Sequence, residues 1–200
     1  MCCFYNFLVI LLAISTGLSD VCCGSTLKRR KYMSYNIFII SDTHFSHENM
    51  YQFFNYDGTK MRPWNSAEDA DNFMIEKWNS IVKPNDKVYH LGDVGINRNK
   101  LDIIMPKLNG TKILIKGNHD KFKPKFYLQH FKDIRGCHNL DNFLLTHIPV
   151  HPESKGKFKL NIHGHVHANS LTDPWYYNTC VEVNNYAPIP FEEIKQIIQQ

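Results

Sequence analysis

No apolar run in this 200-residue sequence reaches the ~20 residues that a membrane-spanning helix needs; the stretch Phe7–Ile14 stops well short, so no stable span is expected. Cysteine is sparse and wrongly arranged for a disulfide framework. Cys2-Cys3 and Cys22-Cys23 are adjacent pairs, and Cys137 and Cys180 stand alone in strand-like surroundings, where unpaired thiols pack as small hydrophobes. That usage leans towards a reduced compartment. There is no internal repeat, and 43% apolar with 21% charged residues gives no bias towards disorder. Nor is there an excess of one charge. Of the formal +4, Lys28, Arg29, Arg30 and Lys31 against Asp20 put +3 into residues 1–32, leaving +1 for residues 33–200. A body that close to neutral has no general basic footprint for nucleic acid, though a local groove is compatible with it.

Residues 1–32 read as a leader and basic linker, and residues 33–200 as one globular domain. Phe7–Ile14 has the length of a signal-peptide hydrophobic region and is followed by the small residues Ser15 and Gly17, but no Lys or Arg precedes it. Two expectations follow for localisation: secretory if this segment is a signal peptide, cytoplasmic if translation starts at Met33. Oligomeric state is left open.

The domain is organised around apolar, strand-like runs that end in chemistry. Ile37–Ile40 leads to Asp42 and His44, which share a face of an extended segment because alternate residues project the same way. Lys87–Leu91 leads to Asp93, Lys112–Ile115 to Asn118 and His119, Phe143–Thr146 to His147, and Lys159–Ile162 to His165 and His167. Donors delivered at strand ends predict one site on the rim of a sheet.

Between these runs, residues 45–65 mix aromatics with Gly, Asn and Pro and read as a loop, a candidate substrate wall. Ser66 caps a helix whose stripe is Ala70, Phe73, Met74, Trp78 and Ile81. A short helix is expected over 98–108, and an amphipathic helix or loop from Asp120 to Phe131. Ile134–Leu140, Phe143–His147, 159–163 and Thr179–Val183 read as strands, and Phe191–Ile198 as a closing helix. Strand–helix alternation followed by consecutive strands predicts an α/β layered sandwich, with two sheets inside and helices outside.

Asp42, His44, Asp93, Asn118, His147, His165 and His167 are oxygen and nitrogen donors without a thiolate, which suits manganese, iron or zinc. Seven exceed what one ion with an open position uses; they suit two ions about 3.5–4 Å apart sharing a carboxylate, a pair that activates water against an anionic ester.

In order, Asp42-x-His44, Gly92-Asp93, Gly117-Asn118-His119-Asp120, His147 and Gly164-His165-x-His167 resemble the five signature blocks of the calcineurin-like metallophosphoesterase superfamily, over roughly residues 35–185. The resemblance implies a four-layer α-β-β-α sandwich with two mixed central sheets. It implies two divalent ions, manganese first, with iron, zinc, nickel or magnesium as alternatives. Asp42, His44 and His167 would hold one, Asn118, His147 and His165 the other, and Asp93 would bridge. His119 would lie over the substrate phosphate and serve the leaving oxygen, and Asp120 would either orient His119 or cap the next helix. Gly92, Gly117 and Gly164 would allow sharp exits from the strands. Ile96 stands where the purple acid phosphatases need a tyrosine, and Gly92–Asn97 lacks the acidic and basic pair of the protein phosphatases. The closer likeness is to small stand-alone bacterial and phage phosphoesterases.

The expected function is hydrolysis of phosphomonoesters or phosphodiesters by a hydroxide that the dinuclear centre activates, on a small phosphoester substrate. The alternatives are a nuclease on single-stranded nucleic acid and a non-catalytic binding scaffold. Residues 45–65 and 148–158 are the expected specificity elements. His90, His130, His138 and His163 read as structural or exposed; His47, Arg62, Arg98 and His151 remain candidates for outer contacts.

Overall fold

The computed structural model describes residues 35–55 and 57–198. The leader and linker expected over residues 1–32 lie outside them. The first sheet is built on β1 (Ile37–Ile40), flanked by β2 (Lys87–His90) in parallel and β9 (Ile189–Pro190) in antiparallel. Beyond β2 lie β3 (Thr111–Ile115) and β4 (Asp133–Arg135), both parallel. The second sheet runs β5 (Cys137–Leu140), β6 (Phe143–Thr146), β7 (Asn161–His163) and β8 (Tyr176–Asn178), with an antiparallel β5–β6 pair and parallel pairs after it. The chain is therefore α/β with two mixed sheets.

Alternation within β1 explains why it reads as unbroken apolar sequence: both of its faces are covered. Ile39, with Tyr89 and Ile113, meets Phe143, Leu145 and Ile162 of the second sheet, and Phe191 and Ile194 of α4 (Phe191–Ile197) join that cluster. Phe38 and Ile40, with Val88 and Leu114, pack against Ala70, Met74 and Trp78 of α1 (Ala67–Ile81) and Leu101 and Ile104 of α2 (Arg98–Ile104). α1 starts where the Ser66 hydroxyl accepts the Asp69 N–H at 3.1 Å, with Glu68 and Asp69 at its positive end. Two residues of the expected stripe fall at its margin: Phe73 and Ile81 are each 36% exposed.

Two other expectations shift. The run Ile134–Leu140 is not one strand, because the chain leaves the first sheet after β4 and enters the second at β5, with Gly136 as the joint. Thr179–Val183 is not a strand either: pairing ends with β8, Ser41 bridges Cys180, and Val181–Val183 is a 3-10 turn. The Asn184 side chain closes that turn by donating to the Asn178 and Cys180 carbonyls. The segment from Asp120 to Phe131 agrees with its reading as helix or loop: it is loop around a single helical turn, α3 (Pro124–Tyr127), which buries Phe126 and Tyr127. On the outer side of the second sheet, Asn161 accepts the Val150 N–H at 3.0 Å, so segment 148–158, with its 3-10 turn Pro152–Ser154, lies there rather than an α-helix.

Candidate metal centre

The loops that follow β1, β2, β3, β6 and β7 bring all seven expected donors together. Five of them sit in the left-handed backbone region: Asp42 (φ 56°), His44 (46°), Asp93 (57°), His165 (73°) and His167 (51°). Such a conformation costs a non-glycine residue about 1–3 kcal/mol and persists only where the surroundings over-determine it. Here Asp42 N–H donates to the Gly92 carbonyl and His44 N–H to the Asp93 carbonyl, each at 3.0 Å, locking the first loop to the second. Of the three glycines expected to give sharp turns, Gly92 does so (φ 94°). Gly117 and Gly164 are needed for space instead, since a Cβ there would lie 2.2 Å from Asp93 Oδ1 and 2.3 Å from Asp42 Oδ2.

The donors form two groups, Asp42, His44 and His167, and Asp93, His147 and His165, with ligand atoms within 4.8 Å of one another in each. Asp93 Oδ2 lies between them, 3.3 Å from His147 Nε2 and 3.7 Å from His44 Nε2. Asn118 Oδ1 joins the second group, 2.7 Å from His147 Nε2 and 3.0 Å from His165 Nδ1. Buried Asp42 Oδ1 and His44 Nε2 have no hydrogen-bond partner. An orphaned carboxylate oxygen and imidazole nitrogen 3.8 Å apart fit a divalent cation of borderline hardness; the nearby Cys180 Sγ donates to Asp42 Oδ2 at 3.2 Å, and burial pushes that thiol up, so it stays protonated and is not a thiolate donor.

Burial, then the nearby Arg62 guanidinium, hold His44 well below the ordinary histidine range, keeping its ring neutral and its lone pair available. Burial raises Asp42, opposed by His147 and His167. For Asp93, burial pushes upward but is outweighed by the hydrogen bond and charge of His147 and by the His119 N–H, which bring it down to about 2.

Around these donors sits a shell that the sequence showed only in part. His167 Nδ1 faces Glu182 Oε1 at 3.1 Å, and the same oxygen accepts from Arg62 Nε at 2.9 Å and the second guanidinium nitrogen at 2.7 Å. Arg62, fully buried, also donates to the carbonyls of Asp42 and Thr43. Burial alone would raise Glu182, but Arg62 and His167 hold it at about 2. Glu182 was missed because its segment reads as a strand with one polar residue; the 3-10 turn is what points it inward.

Asp120 takes neither expected role. Its carboxylate accepts backbone N–H groups of Asp93 (2.9 Å), Val94 (3.0 Å) and Gly117 (2.8 Å), clamping the loop after β2 to the loop after β3. His119 is half-buried, its ring 5.5 Å from that of His44. His47 also flanks His44, at 5.4 Å between ring centres. His151 is an exposed cap for Glu153, and Arg98 lies over the Phe126 ring. His90 is enclosed between Thr43 and the Gly92 N–H, His163 bonds the Gly164 carbonyl, His130 pairs with Asp102, and His138 sits against Tyr89 and Arg135.

The aromatic loop divides. Phe45, Met50 and Tyr51 are core, so Tyr51 is no substrate wall, and Trp64 packs on Phe73 and Tyr186. Phe54 and Met61 instead line a cavity of about 600 Å³ with Ala168 and Asn169, which directly follow His167.

No protein-family model matches the chain. It is 34% identical over 179 residues to the uncharacterized protein MJ1445 of Methanocaldococcus jannaschii, a match covering 82% of this chain and 92% of the relative. It is 24% identical over 202 residues to the gene 66 protein of Mycobacterium phage D29, covering 82% of this chain and 96% of the phage protein. The crystal structure of AQ665, a protein of unknown function from Aquifex aeolicus, aligns with a TM-score of 0.59 at 26% identity, covering 82% of this chain and 100% of that one.

Proposed function

The chain belongs to the family of the Methanocaldococcus jannaschii protein MJ1445, and for it we propose a metal-dependent phosphoesterase of the calcineurin-like kind, hydrolysing phosphomonoesters or phosphodiesters. The observation that carries this reading is the position of Asp93, one carboxylate set between two donor groups that converge from different strands. Asp42, His44 and His167 would hold one divalent ion and Asn118, His147 and His165 a second, with Asp93 common to both. Manganese is favoured, and iron, zinc, nickel or magnesium are compatible with the donors. Two such ions supply, when bound, Lewis acidity towards ester oxygens and a lowered pKa for water.

The remaining work falls to the chain. His147 donates from Nδ1 to the Leu91 carbonyl at 2.8 Å, which leaves Nε2 turned to the site, and His167 is fixed through Glu182 in the same way. His119, tied by its N–H to Asp93, lies half-buried beside His44, from where it would donate a proton to the leaving oxygen. Asp120 keeps the loops of Asp93 and His119 in register. The reading also takes the two mixed sheets and the helices on the first as parts of a four-layer α-β-β-α sandwich, with segment 148–158 in the place of the last layer.

Chelator-treated protein should be inactive on chromogenic phosphomonoesters and phosphodiesters and recover with Mn²⁺. Asp93→Asn should lower turnover by at least about a hundredfold while the protein stays folded by circular dichroism. Full activity in that variant would refute the role given to Asp93.

A further inference from the structure

Two adjoining cavities lie on the side of His44 where His47 stands. One, of about 370 Å³, is lined by His47, Ile96 and Arg98, with Glu48 as its one carboxylate. The next, of about 610 Å³, is lined by Arg98 again, with Lys121, Phe122, Lys123, Lys125 and Phe126, and no carboxylate. Arg98 lines both, so the two adjoin at its side chain and are taken together as one groove. Its near end is His47, 5.4 Å from the His44 ring. Its lysines are also tied to the centre through the chain, because the Lys121 N–H donates to the carbonyl of His119, whose ring lies 5.5 Å from His44.

Among the described residues, none of the four cations is in an ion pair. Residues 33–200 carry a formal +1, and the four cations against Glu48 give the groove a net +3, which leaves the rest of the body at −2. Arg98 is held 5.0 Å above the Phe126 ring, and half-buried Phe122, edge-on to Phe126, gives the same groove an apolar wall. A basic track with an aromatic wall is the combination that follows a phosphate backbone and rests unpaired bases.

We propose that this groove binds the backbone of a single-stranded nucleic acid, so that the centre's substrate carries further phosphates beyond the one attacked. The cleavage part rests on the phosphoesterase reading; the binding part does not. One phosphate would use one or two of these cations, whereas a groove running from His47 through Arg98 to Lys125 matches several in series.

The test compares the full chain with a Lys121→Gln, Lys123→Gln, Lys125→Gln variant. A short single-stranded phosphorothioate oligonucleotide, resistant to hydrolysis, reports binding by fluorescence anisotropy over a salt series. A chromogenic single-phosphate diester and an unmodified oligonucleotide report turnover in Mn²⁺. The expected result is affinity at low salt weakened by roughly tenfold or more, with a log–log salt slope shallower by about 2, at about 0.7 per lost phosphate contact. Turnover of the chromogenic diester should be unchanged. Equal affinity and equal slope in the two proteins overturn the groove. A nucleoside triphosphate that binds as tightly as the strand, and loses the same factor in the variant, overturns the strand in favour of a mononucleotide. If the strand binds through the lysines but neither ester is hydrolysed, the groove stands and the phosphoesterase reading falls.

Discussion

Replacing Gly164 by alanine places a methyl carbon 2.3 Å from Asp42 Oδ2, 2.6 Å from Ser41 Oγ and 2.7 Å from Ser41 Cβ. Ordinary contact begins at 3.4 Å, so the Asp42 carboxylate or the loop carrying His165 and His167 must move by about 1 Å. Neither can do so freely. Asp42 Oδ2 accepts the His165 N–H at 2.9 Å, and losing that charge-assisted bond costs about 1.5–3 kcal/mol. The melting temperature of chelator-treated protein should therefore fall by about 3–12 °C, at about 2–4 °C per kcal/mol for a domain this size. Mn²⁺ affinity, read by titration calorimetry, should drop by about 10–100-fold, the usual cost of disturbing the support of a ligand. Gly136→Ala is the matched control: a Cβ there meets nothing within 4 Å and the backbone is not left-handed, so stability should hold within about 0.5 kcal/mol. Equal Mn²⁺ affinity in the two variants would show that Asp42 is not a ligand, or that its loop is far softer than its hydrogen bonds imply.

Two further outcomes can be checked by denaturant melts. Glu182→Ala strands the buried Arg62 charge and should cost about 3–5 kcal/mol, whereas Arg62→Met with Glu182→Met should restore only part of the stability, because the Asp42 and Thr43 carbonyls lose their Arg62 donors, while leaving His167 unoriented and Mn²⁺ binding weak. A double variant as unstable as the single one would contradict this. His90, held at about 3 by burial against an ordinary 6.5, is neutral when folded, so protons favour the unfolded chain. Its contribution is intact above pH 6.5 and is lost progressively as pH falls towards 3, amounting to about 2–3 kcal/mol between pH 7 and 4.5. His90→Gln should flatten the chelated protein's stability profile over that window, and an unchanged slope would remove His90 as the cause.

Which donors converge was legible because each stands within a few residues of the end of an apolar run, and strand ends on one rim meet. What surrounds them was not. Glu182 and Arg62 are 120 residues apart and meet only because a 3-10 turn, which no apolar period announces, replaces the expected strand after Asn178. Asp120 follows His119 and invites pairing with it, yet backbone N–H groups from two loops compete for its carboxylate and win. The split of Ile134–Leu140 escaped for a related reason: a strand pattern says how a segment buries, not which of two sheets it joins. Tyr51 and Trp64 looked like site aromatics from composition alone, and apolar area drew both inward instead.

Each donor group draws on both sheets: Asp42 and His44 from the first with His167 from the second, and Asp93 from the first with His147 and His165 from the second. An ion seated in either group is thus a rivet through two plates that are otherwise joined mainly by greasy, non-directional contact. Its loss should let the plates slide before either one frays, and amide exchange should accelerate first along the seam where Thr179 meets Ser41.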